Sequence, residues 1–229
     1  MKLYYYTSAE CALDDFDNER IKLSEIGNVN DPNEWTPIFS SADGNVQVPI
    51  SVARIFVAKH WGTRYGFVSL SRRWDIAPMW GNYADKYRGV VFELKVLDEK
   101  CIIPIKYAKL RPRCHPIPNE DEFRKIVGMK STAWSYEKEV RYLHALDTEN
   151  SWHDKGVCFG PMKVISPLCA AQIQLVRIIC GPEMKSGMIR KFVKIRDEYG
   201  RVETYGLFVP IVLTFFDQET YAIKKGQII

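Results

Sequence analysis

The sequence predicts an α+β fold in one domain spanning residues 1–229, on three observations. Strand-like runs are numerous, and the helix-like runs between them are irregularly placed. Neither a βαβ alternation nor a GxGxxG turn occurs, which argues against a doubly wound sheet. No Pro/Gly/Ser-rich linker or shift in composition divides the chain, whose 46% hydrophobic and 26% charged residues suit an ordinary globular protein.

The elements follow in order. "LYYYT" (3–7) reads as a first strand, and Ser8 is placed to cap a short helix through residue 16. "RIKLSEI" (20–26) alternates as a half-buried strand does, and runs into the Asn/Asp/Pro loop "GNVNDPNEW" (27–35). In "VPISVARIFVAKHW" (48–61), Val52, Ile55, Phe56 and Lys59 fall at helical spacing behind Pro49. "GFVSLS" (66–71) is a strand, "APMWGNYADKY" (77–87) a helix, and "GVVFELKV" (89–96) and "IIPIKYA" (102–108) are strands. Asn119 caps the helix predicted over 119–129, whose acidic first turn suits the helix dipole. Strands are expected at 139–146, 156–162 and 175–180, an exposed amphipathic helix over 181–200, and a last, strongly buried strand over 205–216.

Composition narrows the function classes. No run approaches the ~18 apolar residues needed to span a bilayer, and the start "MKLYYYTSAEC" is not a signal peptide, so a cytoplasmic protein is expected. Cys11, Cys101, Cys114, Cys158, Cys169 and Cys180 form no CxxC pair or zinc spacing and are expected to be buried thiols. The four histidines make no metal-binding arrangement. A net charge of +4, with basic clusters at 106–113 and 190–196, permits a nucleic-acid partner without requiring one.

Within "STAWSYEKEVRYLHAL" (131–146), Glu137 and Glu139 stand one residue apart at a predicted strand entrance, beside Trp134, Tyr136 and Arg141. Strand residues two apart share a face at a spacing of ~6–7 Å, so the pair is expected on one side, each charge raising the other's pKa.

Four blocks carry a family resemblance: "LYYYTS", "VNDPNEW", "SLSRRWDIAPMWGNYADKYRGVVFEL", and "WSYEKEVRYL" followed by "VRIICGP". In this order, across residues 3 to about 195, they resemble the DUF2971 family, bacterial and phage domains of unknown function. "MWGNYADKYRG" and "WSYEKEVR" are its specific parts. Tyr87 departs from the family's usual histidine, and "LYYYTS" lacks the basic residue of its usual first strand. A more distant resemblance is to ADP-ribosyltransferases, with a polar or aromatic residue on an early strand, a serine-containing strand and a later Glu or ExE. Here those positions are Tyr4 or Tyr5, then Ser69-Leu70-Ser71, then Glu137-Lys138-Glu139. The resemblance implies a split, mainly antiparallel β-core flanked by helices.

That likeness also implies roles. ADP-ribosyl transfer passes through an oxocarbenium-like state at the ribose C1′, which a carboxylate on the 2′-hydroxyl stabilises. Glu139 takes this part with NAD as substrate, and Glu137 orients or deprotonates the acceptor. Ser69 and Ser71 brace the carboxylate and ribose, Trp80 and Tyr83 line a nicotinamide pocket, and Arg72 or Arg141 meets the pyrophosphate. Plainer assignments stand beside these. Glu137 and Glu139 pair with Lys138 or Arg141 on a solvated face, the serines face solvent, and Trp80 and Tyr83 pack in the core. Asn30 and Asp31 make an Asx turn before Pro32, or Asp31 and Glu34 close the pocket from the opposite side.

The function expected from the resemblance is transfer of ADP-ribose from NAD to a macromolecular acceptor, protein or nucleic acid, in a toxin or phage-defence role, with no membrane partner. A non-catalytic nucleotide- or protein-binding module is the alternative. A third is a metal-dependent nuclease built on Asp31, Glu137, Glu139 and Lys138.

Overall fold

The computed structural model describes residues 1–26, 29, 31–39, 48–115, 117–146, 151–155, 157–162, 172–201 and 209–229. Asn30, Cys169 and the 205–208 part of the last predicted strand lie outside the described residues. The fold is mixed α and β, with a large, mostly antiparallel sheet and flanking helices. Its residues group into two compact units, the first holding 1–22, 70–99 and 159–229, the second 23–69 and 100–158.

In the first unit, strand Val90–Val96 is buried on both faces and organises its neighbours. It pairs antiparallel with Lys2–Thr7 on one side, Tyr4 opposite Glu93, and with Ile173–Cys180 on the other, Arg177 opposite Glu93. Ile173–Cys180 pairs in parallel with Ile211–Phe216. Ile223–Ile228 then joins Ile211–Phe216 antiparallel, a strand the sequence reading missed when it made 205–216 the last. Tyr4 also faces Ser71 in antiparallel register.

Helix Ala9–Asp17 begins where expected, the Ser8 hydroxyl accepting the Cys11 N–H at 3.2 Å. Its Phe16 stacks on Phe192 of helix Ser186–Arg201 at 6.4 Å between centroids. Helix Ala77–Tyr83 is shorter than the predicted 77–87, because Asp85, Lys86 and Tyr87 take positive φ values of 44°, 52° and 69°. Three consecutive left-handed side-chain-bearing residues are costly, so neighbours must impose the turn. Gly89 and Gly181 admit it, the Gly181 N–H donating to the Gly89 carbonyl and the Glu183 N–H to that of Tyr87.

Asp15 sits on the buried side of helix Ala9–Asp17, 2% exposed, with Oδ2 unpartnered. Burial, then the Asp14 charge, pushes its carboxyl up to about 7 against the pull of Arg20 and Lys22. A raised folded pKa makes the contribution to stability full below the unfolded value of 3.8 and lost as pH rises through about 7. Asp15→Asn is therefore expected to raise the melting temperature at pH 8, recovering on the order of 2–4 kcal/mol, and to change little at pH 4. Thermal melts of both proteins across that range test it; a variant no more stable than wild type at pH 8 refutes it.

In the second unit, strand Glu139–Ala145 lies between Tyr65–Ser71 and Ile102–Pro104, with Arg141 opposite Ile103. The predicted strand 102–108 breaks in two, and its second piece, Lys106–Ala108, pairs in parallel with Met129–Ser131. Helix Glu120–Val127 carries a capping box, Asn119 Oδ1 accepting the Glu122 N–H at 2.9 Å and Glu122 Oε2 the Asn119 N–H at 3.2 Å. Phe123 of that helix stacks on Trp61 of helix Ile50–Trp61, centroids 4.3 Å apart and planes at 8°. Around them pack Trp35, Phe39, Val57, Phe67 and Ile126.

The thiols only partly match expectation: Cys114, Cys158 and Cys180 are buried, but Cys11 is exposed and Cys101 half-buried. Among the described residues no helix is long and apolar enough to cross a membrane.

Candidate functional site

A cluster of buried charges occupies the second unit. Parallel pairing sets Lys130 opposite Tyr107 on adjoining short strands. Lys130 Nζ lies 3.1 Å from Glu34 Oε1, 2.5 Å from Glu137 Oε2 and 3.1 Å from Glu139 Oε2. Arg141 completes the group, with Nε donating to Glu139 Oε1 at 2.8 Å and Nη1 to the Val127 carbonyl at 2.7 Å. Nη2 of Arg141 pairs with Glu34. Its guanidinium also lies over the rings of Trp35 and Phe67, 4.6 and 5.2 Å from their centroids.

The predicted doublet is thus brought together by a different route from the one expected. Glu137 ends a 3₁₀ turn, Thr132–Glu137, and only Glu139 belongs to the strand. Between them Lys138 adopts a left-handed conformation, φ 50° and ψ 41°, and this reversal aims both carboxylates at one ammonium. Both are buried rather than on a solvated face, and the partners are Lys130 and Arg141, not Lys138.

The pKa expectation is reversed as well. Burial drives the Glu139 carboxyl upward, but Arg141 and Lys130, with bonds from Arg141 and Ser69, hold it at about 2. Burial likewise pulls Lys130 down, and the charges of Glu139, Glu34 and Glu137 outweigh it, leaving its pKa raised. Opposite charge decides both signs. Three carboxylates thus share two cations, an arrangement that stands only because every member has partners.

Ser69 donates through Oγ to Glu139 Oε1 at 2.7 Å, and the Glu139 N–H donates to Tyr107 Oη at 2.8 Å. Beside the cluster opens a cavity of about 440 Å³, with Asp31, Glu34, Trp35, Arg111, Lys130 and Trp134 in its lining. Lys130 Nζ lies 5.1 Å from the Trp134 ring centroid, and Trp134 Nε1 donates to Asp31 Oδ2 at 2.8 Å. Burial acts upward on Asp31, yet bonds from Asn33 and Trp134 leave its carboxyl below the ordinary range. The Asx turn before this loop exists, the Asn33 N–H donating to Asp31 Oδ1 at 2.8 Å. Arg111 straps the loop down through the Asn33 carbonyl at 3.0 Å and Oδ1 at 2.9 Å.

The other predicted site residues, Arg141 excepted, lie in the first unit. Tyr4 is half-buried beside Glu93, and the ring of Tyr5 meets Phe92 at 6.5 Å. Ser71 is buried, its Oγ accepting the Arg73 N–H at 3.2 Å. Exposed Arg72 places Nη1 3.7 Å from Met1 Sδ. Trp80 is fully buried, edge-on to Tyr6 at 5.6 Å and donating from Nε1 to the Trp74 carbonyl. Its helix turns the apolar side inward, so Trp80 is core rather than pocket wall, while Tyr83 is half-buried at the helix end. Arg141, expected at a pyrophosphate, is 1% exposed with its donors committed to the cluster.

Sequence reasoning missed Lys130, Tyr107 and Trp35; a usable signal was the lysine closing an apolar helix–strand junction, "KIVGMKS". For the nuclease alternative, ammonium and guanidinium groups fill the space between the carboxylates. Among the described residues no group of three or more His, Cys, Asp or Glu is spaced to hold a metal ion.

No protein-family model, no curated protein and no solved structure matches this chain significantly. The likeness to DUF2971 therefore rests on the four sequence blocks alone.

Proposed function

We propose that the second unit carries a glycosyl-transfer site of ADP-ribosyltransferase type, moving ADP-ribose from NAD to a protein or nucleic-acid acceptor. The observation that supports this most is the Glu139 carboxylate, kept ionised by Arg141 and Lys130 and braced by the Ser69 hydroxyl. A group that stabilises a forming oxocarbenium ion must be charged throughout and must not swing. The cavity is of ligand-pocket size, and the half-buried Trp134 in its lining offers a flat face to a nicotinamide ring. In this reading the ribose 2′-hydroxyl replaces the longer of the two contacts on Glu139 Oε2, that from Arg141 at 3.4 Å, while Lys130 stays at 3.1 Å. Trp134 takes the part first given to Trp80 and Tyr83.

A second reading, a non-catalytic nucleotide- or protein-binding pocket, is favoured by one observation: both oxygens of Glu139 already have protein partners. Incubation with NAD labelled in its ADP-ribose half separates the two. Transfer predicts nicotinamide release and labelled acceptor, reduced at least about 100-fold in Glu139→Gln and about tenfold in Ser69→Ala, which leaves the ion pairs in place. NAD binding without nicotinamide release supports the binding module. No binding and no release for any acceptor overturns the NAD reading.

A further inference from the structure

A second charged cluster lies in the first unit, on one face of its sheet. Glu93 is 1% exposed at the middle of Val90–Val96. Lys2 Nζ is 2.9 Å from its Oε1; Arg177 Nη1 and Lys225 Nζ are 3.3 and 3.9 Å from Oε2. These cations come from three strands, Lys2–Thr7, Ile173–Cys180 and Ile223–Ile228. Lys95, two residues beyond Glu93 and hence on the same face, stands directly opposite Lys2.

One carboxylate cannot balance four cations, and like charges opposite one another across a strand pair destabilise it. The nearby Asp75 is already held by Arg73, at 2.8 and 2.9 Å. Arg177 keeps its Nε buried with no hydrogen-bond partner. Lys225 has its pKa lowered by burial, with Arg177 and Lys2 adding to the effect against Glu93. Its ammonium rests 4.9 Å from the Trp74 ring centroid, and the half-buried Tyr4 hydroxyl adds a donor beside Glu93. Ammonium and guanidinium groups gathered around one buried carboxylate, in excess of its charge and next to aromatic rings, suit a tetrahedral oxyanion on their outward side, where Lys2 is exposed.

We propose that this face binds a phosphate group between Lys2, Arg177 and Lys225, as free phosphate or as the phosphate of a mononucleotide whose base meets Trp74. The proposal does not depend on NAD chemistry at Glu139, whose partners all belong to the other unit.

Calorimetric titration of the full chain with inorganic phosphate and with AMP, against sodium chloride at equal ionic strength, tests it. Saturable phosphate binding is expected, weakened about tenfold in Arg177→Gln or Lys225→Gln and unchanged in Lys194→Gln, which lies in the exposed part of helix Ser186–Arg201. Tighter binding of AMP identifies a nucleotide, and equal binding identifies phosphate itself. Should Arg177→Gln not fold, Lys2→Gln gives the same reading, because that side chain is 63% exposed. No binding beyond the chloride control, or wild-type affinity in folded Lys2→Gln and Lys225→Gln, overturns the proposal.

Discussion

Lys130→Met is expected to cost about 3–5 kcal/mol at pH 7.5, the loss typical of breaking one side of a buried ion pair. Methionine keeps most of the stem's volume, so the change isolates the ammonium that lies within 3.1 Å of three carboxylates. Without it, Glu34 and Glu139 keep Arg141 as their shared cation, and Glu137 loses its 2.5 Å ion-pair partner.

The pH dependence carries the sharper signature. In the wild type Glu139 titrates at about 2, below its ordinary 4.5, so its contribution is present above 4.5 and lost as pH falls toward 2. In Lys130→Met, burial without that cation raises the Glu139 carboxyl pKa, so the deficit grows as pH rises and shrinks on acidification. Urea denaturation at pH 5 and pH 7.5 measures both slopes. A double variant with Glu137→Gln is expected to recover part of the loss. Equal midpoints for wild type and Lys130→Met at pH 7.5 would refute this account of the cluster.

Gly181→Ala is expected to destabilise the first unit by more than about 3 kcal/mol. A β-carbon there would lie 2.1 Å from the Tyr87 carbonyl oxygen, 2.8 Å from its carbon and 3.0 Å from the Gly89 oxygen. All three are backbone atoms, so no rotamer change relieves the overlap, and the left-handed turn or the strand end must shift. Gly187→Ala supplies the contrast: nothing lies within 4 Å of its added carbon, in helix Ser186–Arg201. That variant is expected to gain about 0.5–1 kcal/mol from helix propensity. Thermal melts of the pair check both, and a tolerated Gly181→Ala would mean that the turn yields freely.

Local signals made much of the fold legible. Ser8 and Asn119 announced their helices because a cap is written within four residues. Strand Val90–Val96 announced itself through its β-branched and apolar residues, interrupted only by Glu93 and Lys95. Ile223–Ile228 escaped because an edge strand wets its outer side, and "IKKGQI" reads as polar. The 3₁₀ turn before Glu139 escaped because its reversal falls on a lysine, Lys138, where no glycine marks it.

At the candidate site, the serine-to-glutamate bond was anticipated through the family likeness, and Asp31 and Glu34 through the option of closing a pocket. Lys130 was not. A lone lysine looks solvated until residues 34, 107, 137 and 139 converge on it, and such convergence over long separations is a property of the fold. Trp80 was misassigned for a related reason: an aromatic residue on a short helix serves a core as readily as a binding wall, and only burial distinguishes them.

The left-handed run at Asp85, Lys86 and Tyr87 ties two distant stretches into one heritable unit. Gly89 has no more room than Gly181, since its added carbon would fall 2.3 Å from the Thr7 carbonyl oxygen. A lineage that put a side chain at either glycine would have to rebuild the 84–89 crossing at the same step. The short string after helix Ala77–Tyr83 is therefore half of a signature, and the glycine that opens "GPEM" is the other half.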